Sequence, residues 1–174
     1  MGRFEKLNND VQGLADMVLA DKDLCKLIYY SGNNPLDQPD TNFRNVLLND
    51  KDNQRLFTFT PKIPLAEDEG TYLSITTPRL KPVEGGHYVV SLLCFNIYSH
   101  KDIREIYYKD KYGNSKVGDR AILMMDRIEK IMLNANLGIG QENMDGAAEI
   151  ASNNAVFSGY TVGYVNVDFR KQGG

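Results

Sequence analysis

Residues 86–100 read Gly86-His87-Tyr88-Val89-Val90-Ser91-Leu92-Leu93-Cys94-Phe95-Asn96-Ile97-Tyr98-Ser99-His100. β-Branched and aromatic residues crowd this stretch, and the Gly85-Gly86 pair opens it as a turn. Successive side chains of a strand point to opposite faces. One face carries Val89, Leu93, Phe95 and Ile97; the other carries Tyr88, Val90, Leu92 and Cys94 and turns polar at Asn96. Two largely apolar faces predict a central strand covered on both sides. The run is far shorter than the roughly 20 residues a membrane-spanning helix needs, so it predicts no membrane span.

Working outward, Thr71–Thr77 has strand composition, with Tyr72 and Ser74 opposing Leu73 and Ile75. Residues 55–60 (Arg-Leu-Phe-Thr-Phe-Thr) read as another strand, stopped by Pro61. Pro78 and Pro82 are expected to break the chain before the central strand begins. After His100, residues 101–116 are charged and rich in tyrosine. Tyr112-Gly113-Asn114 suits a hairpin turn, the alternative being a flexible loop. Asp119 is positioned to cap a helix whose Ala121, Met125, Ile128 and Met132 share a face, with Arg120, Asp126, Arg127, Glu129 and Lys130 on the polar side. Gly138 suits the end of that helix. Residues 141–154 read as a loop with room for a short strand. Residues 155–170 read as the last strand, with Gly159 and Gly163 as candidate bulges.

Toward the N-terminus, Phe4, Leu7, Val11, Leu14 and Val18 recur every three or four residues and predict a helix over 4–19. Asp21 is a cap for a second, short helix with Leu24, Leu27 and Ile28 inward. Residues 33–40 hold two prolines and several Asn/Asp residues and form a loop; a brief helix is expected through Leu48. Helix, strands, helix and strand in this order, without regular βαβ alternation, predict an α+β fold: a mostly antiparallel sheet with an N-terminal helix and a long helix packed on it. At 174 residues, a single domain spanning 1–174 is expected, with an insertion at about 101–116.

The net charge of −3 argues against general nucleic-acid binding. Cys25 and Cys94 lack the spacing of a zinc or redox motif and read as buried free thiols of a reducing compartment. The N-terminus carries no apolar signal region, which points to the cytoplasm, and no myristoylation pattern. No Gly-Lys-Ser/Thr and no Gly-x-Ser-x-Gly occurs, and Gly138-Ile139-Gly140 follows a helix instead of a strand. His87 and His100 stand at opposite ends of one strand and are too far apart to share a metal. The acidic run Glu67-Asp68-Glu69 reads as a solvated loop tip, because consecutive carboxylates do not converge on one ion. No catalytic, cofactor-binding or metal-binding residue is therefore assigned. The segment 101–116 mixes basic and aromatic residues, a mixture that can contact nucleic acid, but Asp102, Glu105 and Asp110 dilute its charge and favour a protein interface or a plain solvated loop.

Several stretches carry a resemblance: Leu27-Ile28-Tyr29-Tyr30 followed by Asn34-Pro35-Leu36-Asp37, and Gly118-Asp119-Arg120-Ala121-Ile122 leading into Asp126-Arg127-Ile128. With the order of elements, they resemble the tail-terminator and head–tail joining proteins of tailed bacteriophages. The resemblance covers most of the chain, and 101–116 is extra length beyond a minimal member. It implies a non-enzymatic subunit that forms a ring, typically of six copies, between the tail tube protein and a head-side neck protein. It also implies a place at the head–tail junction of the virion, after synthesis in the host cytoplasm, and a lumen through which DNA slides without specific binding. Function then lies in subunit edges, and the candidates are Pro35, Leu36 and Pro39; Glu67, Asp68 and Glu69; and Arg104, Tyr107, Tyr108 and Tyr112. Two alternatives stay open: another neck ring component, such as a stopper or adaptor, and a small-ligand-binding or enzymatic α+β domain.

Overall fold

A strand of thirteen residues, Tyr88–His100, lies at the centre of the main sheet, as its composition predicts. The structure, a computed structural model, describes residues 3–50, 53–61, 69–82, 88–135, 143–150 and 156–169. In chain order these form α1 (Arg3–Ala20), α2 (Lys22–Tyr29), β1 (Leu56–Phe57), β2 (Thr71–Pro82), β3 (Tyr88–His100), β4 (Glu105–Lys109), β5 (Ser115–Asp119), α3 (Arg120–Asn134), β6 (Asn143–Ile150) and β7 (Phe157–Phe169). The main sheet runs β1-β2-β3-β7-β6, and β4 pairs with β5 as a separate hairpin. All main-sheet pairings are antiparallel except β1 with β2. The fold is α+β with helices packed on the sheet.

Helices cover one face of this sheet. Leu73 and Ile75 of β2, Leu93, Phe95 and Ile97 of β3, and Val162 and Tyr164 of β7 meet Val11, Leu14, Ala15 and Val18 of α1, Leu24, Leu27 and Ile28 of α2, and Ala121, Met124, Ile128 and Met132 of α3. Phe95 and Tyr164 meet edge to face, with ring centroids 5.9 Å apart. Each fully buried aliphatic side chain contributes about 1.5–3 kcal/mol, which makes this layer contact the main source of stability.

The other face departs from the expectation of a strand covered on both sides. Among the described residues no helix packs there, and the sheet satisfies its own polar groups. The Asn96 side-chain amide donates to Ser74 Oγ (3.1 Å) and Thr76 Oγ1 (3.2 Å), and Thr161 Oγ1 donates to Asn96 Oδ1 (2.9 Å). This ladder binds three strands at the point where apolar alternation stops.

Several local expectations are corrected. Pro78 does not end β2; it lies where the register with β3 shifts, between Thr76 and Arg79, so its missing N–H costs no ladder bond. The β3–β7 register is continuous, so Gly159 and Gly163 are not bulges. A Cβ at position 159 would come within 1.8 Å of the Ile97 carbonyl oxygen, and this close backbone approach requires glycine there. The irregularity lies in β6, between Met144 and Gly146. β6 itself is longer than its polar composition suggested, because backbone pairing with β7 holds it. The strand expected over 55–60 shrinks to Leu56–Phe57, and the brief helix through Leu48 is a π-helical turn, Asn45–Asn49. Gly138 lies outside the described residues.

Candidate interaction surface

Helix α2 is only eight residues long; the Tyr30 N–H closes it on the Lys26 carbonyl (3.0 Å), and the Leu27, Ile28 and Tyr29 carbonyls beyond have no partner within the helix. Two arginines supply partners. Arg120 donates from Nη1 to the Leu27 (2.7 Å) and Tyr30 (2.5 Å) carbonyls, and Arg55 donates from Nη1 to the Ile28 (3.1 Å) and Tyr29 (2.7 Å) carbonyls. Both cations stand at the negative end of the helix dipole. Arg120 also donates to Ile103 O (2.8 Å) and Gly32 O (2.8 Å), so one side chain ties α2, the following loop and the start of the 101–119 segment to α3. Its helical position placed it on the polar side of α3, yet it is fully buried. Burial, and next the charge of Arg55, push its pKa down to about 10.

This clamp fixes the base of the β4–β5 hairpin. Asp119 caps α3 by accepting from Ala121 N (2.8 Å) and Ile122 N (3.3 Å), and its second oxygen accepts from Arg104. Arg104 further donates to Ser158 Oγ (2.6 Å) and lies over the Tyr160 ring at 5.9 Å. Burial opposes the Arg104 charge, but Asp119 and Tyr160 outweigh it and raise its pKa. At the tip, the Asp110 carboxylate accepts from Tyr112 N and Asn114 N, each at 2.9 Å, and Gly113 takes a positive φ of +83°. The segment 101–116 is thus largely a hairpin, one of the two forms expected.

The candidate segments meet at this end of the molecule. Tyr107 N donates to Asn33 O (2.7 Å), joining the hairpin to the 33–40 loop. Ser31 Oγ donates to Glu69 O (2.9 Å), bringing the end of the 65–70 loop to the same place. Within the group, Tyr112 is 76% exposed and Tyr107 44%, and Val117, across from Tyr107, is 58% exposed. Glu69 and Pro39 are exposed, and Leu36 and Tyr108 are half-buried. Pro35 is buried, and the Arg104 guanidinium is engaged inside the fold. Glu67 and Asp68 lie outside the described residues. The Pro39 carbonyl accepts from Tyr30 Oη (2.8 Å), and Asp40 is held by Lys22 and Lys26, whose hydrogen bonds lower its pKa. A cleft of about 440 Å³ opens beside α2, lined by Tyr29, Tyr30, Ser31, Val46, Asp50, Asn53 and Arg55. Among the described residues, no cluster of His, Cys, Asp and Glu is arranged to hold a metal ion, and no helix is long and apolar enough to cross a membrane.

The profile of one protein family, YomW, matches residues 21–166. The chain belongs to the YomW family. The match begins at Asp21, the cap of α2, and ends within β7, so it takes in both arginines of the clamp, the whole hairpin and α3. YomW is a phage-associated family, which agrees with the bacteriophage part of the resemblance. A search of curated proteins finds no match. Sequence reading missed Arg55, Arg120 and the exposure of Val117. An arginine that follows a helix cap carries no local mark of burial, and only the three-dimensional meeting of α2 with α3 reveals it.

Proposed function

We propose that this chain is a non-enzymatic structural protein of the phage head–tail junction that acts by assembling into a ring, with six copies as the expected number. The ring would join the tail tube protein on one side and a head-side neck protein on the other, and DNA would pass through its lumen without specific binding. The reading places the protein in the virion. The observation that carries it is the meeting of the hairpin, the 33–40 loop and Glu69 at one end of the fold, with exposed Tyr107, Tyr112 and Val117 on a rigid base. Aromatic side chains on a fixed support are what a protein interface requires. A closed ring also needs two different, mutually complementary surfaces on each copy. The phage association of the YomW family supports the same reading.

Light scattering of the full chain over a range of concentrations, followed by negative-stain imaging of the heaviest species, tests it. A discrete ring with a central hole is expected, either for the protein alone or when it is mixed with purified phage tail tubes. A strict monomer under both conditions overturns the reading.

A further inference from the structure

Two of the strand edges that have no neighbour among the described residues, those of β6 and β5, differ in charge. β6 ends the main sheet, and among the described residues no backbone group bonds to its outer edge. Residues 144–149 are exposed, because the helices pack over β2, β3 and β7 and stop short of β6. Asp145 and Glu149 are its charged residues, and it has no basic one. The second edge is that of β5. β4 occupies one side of it, the opposite side carries no bond among the described residues, and Ser115, Lys116 and Val117 are exposed. β5 itself bears Lys116, with Lys109 of β4 and Lys111 of the tip close by; Asp119 at its end is paired with Arg104, the Asp110 carboxylate is turned onto the amides of its own tip, and Glu105 at the base of β4 is the hairpin's remaining carboxylate. An unpaired edge is a template for another strand, and isolated chains protect such edges with charge. Here the two edges carry charges of opposite sign, which attract between copies.

We propose that the β5 edge of one copy adds antiparallel to the β6 edge of the next, with Lys116 opposite Glu149 and Val117 opposite Ala148. This contact rests on the ring reading above and names its subunit interface. The register places the Tyr107–Val117 pair beside an alanine that leaves room for it. Pairing of two different edges is heterologous, so it propagates from copy to copy and closes when the rotation permits.

Two measurements on the full chain test the contact. Mixing Val117→Cys protein with separately tagged Ala148→Cys protein under mild oxidation is expected to give a disulfide-linked pair containing one of each, with little linkage in either variant alone. Reversing one charge, as Lys116→Glu or Glu149→Lys, is expected to raise the concentration for half-assembly about tenfold, and combining both in one chain to restore it. Rings that form with no 117–148 link and no response to charge reversal overturn this contact and leave the ring reading standing. Linked pairs that respond to charge reversal but never form rings keep the contact and overturn the ring. No association in any mixture overturns both.

Discussion

Arg120 does at the residue scale what no periodicity announced. Four carbonyls from three segments converge on one guanidinium, and no carboxylate shares the site among the contacts that hold it. Replacing it by alanine leaves Leu27, Tyr30, Gly32 and Ile103 carbonyls without this donor and opens a cavity. The expected loss is about 3–5 kcal/mol, seen as a lower denaturant midpoint. Lysine restores charge but not the planar fork, so Arg120→Lys is expected to recover less than half of that loss. Equal stability of wild type and Arg120→Ala would show that the carbonyls are satisfied otherwise. Burial lowers the Arg120 pKa, yet the guanidinium stays protonated at neutrality in both states, so it adds no pH dependence there.

The β4–β5 hairpin shows how a short element is made stable away from the core. Ile106 is its fully buried side chain, Asp119 and Arg104 tie its base, and Asp110 organises its tip. Hydrogen bonds from Asn114 N first, and then from the Asn114 side chain and Tyr112 N, hold the Asp110 pKa below its ordinary 3.8. The sign follows directly: the contribution is complete above the ordinary value and is lost as pH falls through the lowered one. Amide exchange at residues 111–115 is therefore expected to accelerate below pH 3.8 and to be fast at all pH values in Asp110→Ala, while the amides of β3 keep their protection. Exchange at the tip that ignores both changes would show that Gly113 alone sets the turn. Most of this element was legible in the sequence, since Tyr112-Gly113-Asn114 marks its turn and Asp119 its junction with α3. The tie between Tyr107 N and Asn33 O was not, because it joins segments more than seventy positions apart.

For the molecule as a whole, the two cysteines report on the two sides of the sheet. Cys25 lies in the helical layer, where burial and then the Asp21 charge push its pKa up to about 12; Cys94 lies on the opposite face, raised by burial and then by Asp145. Neither thiol is expected to react with a disulfide reagent at pH 8 in the folded protein, and both are expected to react together through one denaturant transition. Reaction of Cys94 well before Cys25 would show that the sheet face opens independently of the helices. The sequence by itself determined the α+β class, the central strand, the Asp21 and Asp119 caps and the apolar faces of the helices, because these follow from periodicity and capping within a few residues. Only the tertiary structure decided the rest: that the helices share one face of the sheet, that Arg55 and Arg120 complete α2, and that a polar strand, β6, pairs with β7 and ends the sheet among the described residues. Burial of a charge and pairing of an edge depend on partners distant in the chain, and local composition holds no record of them.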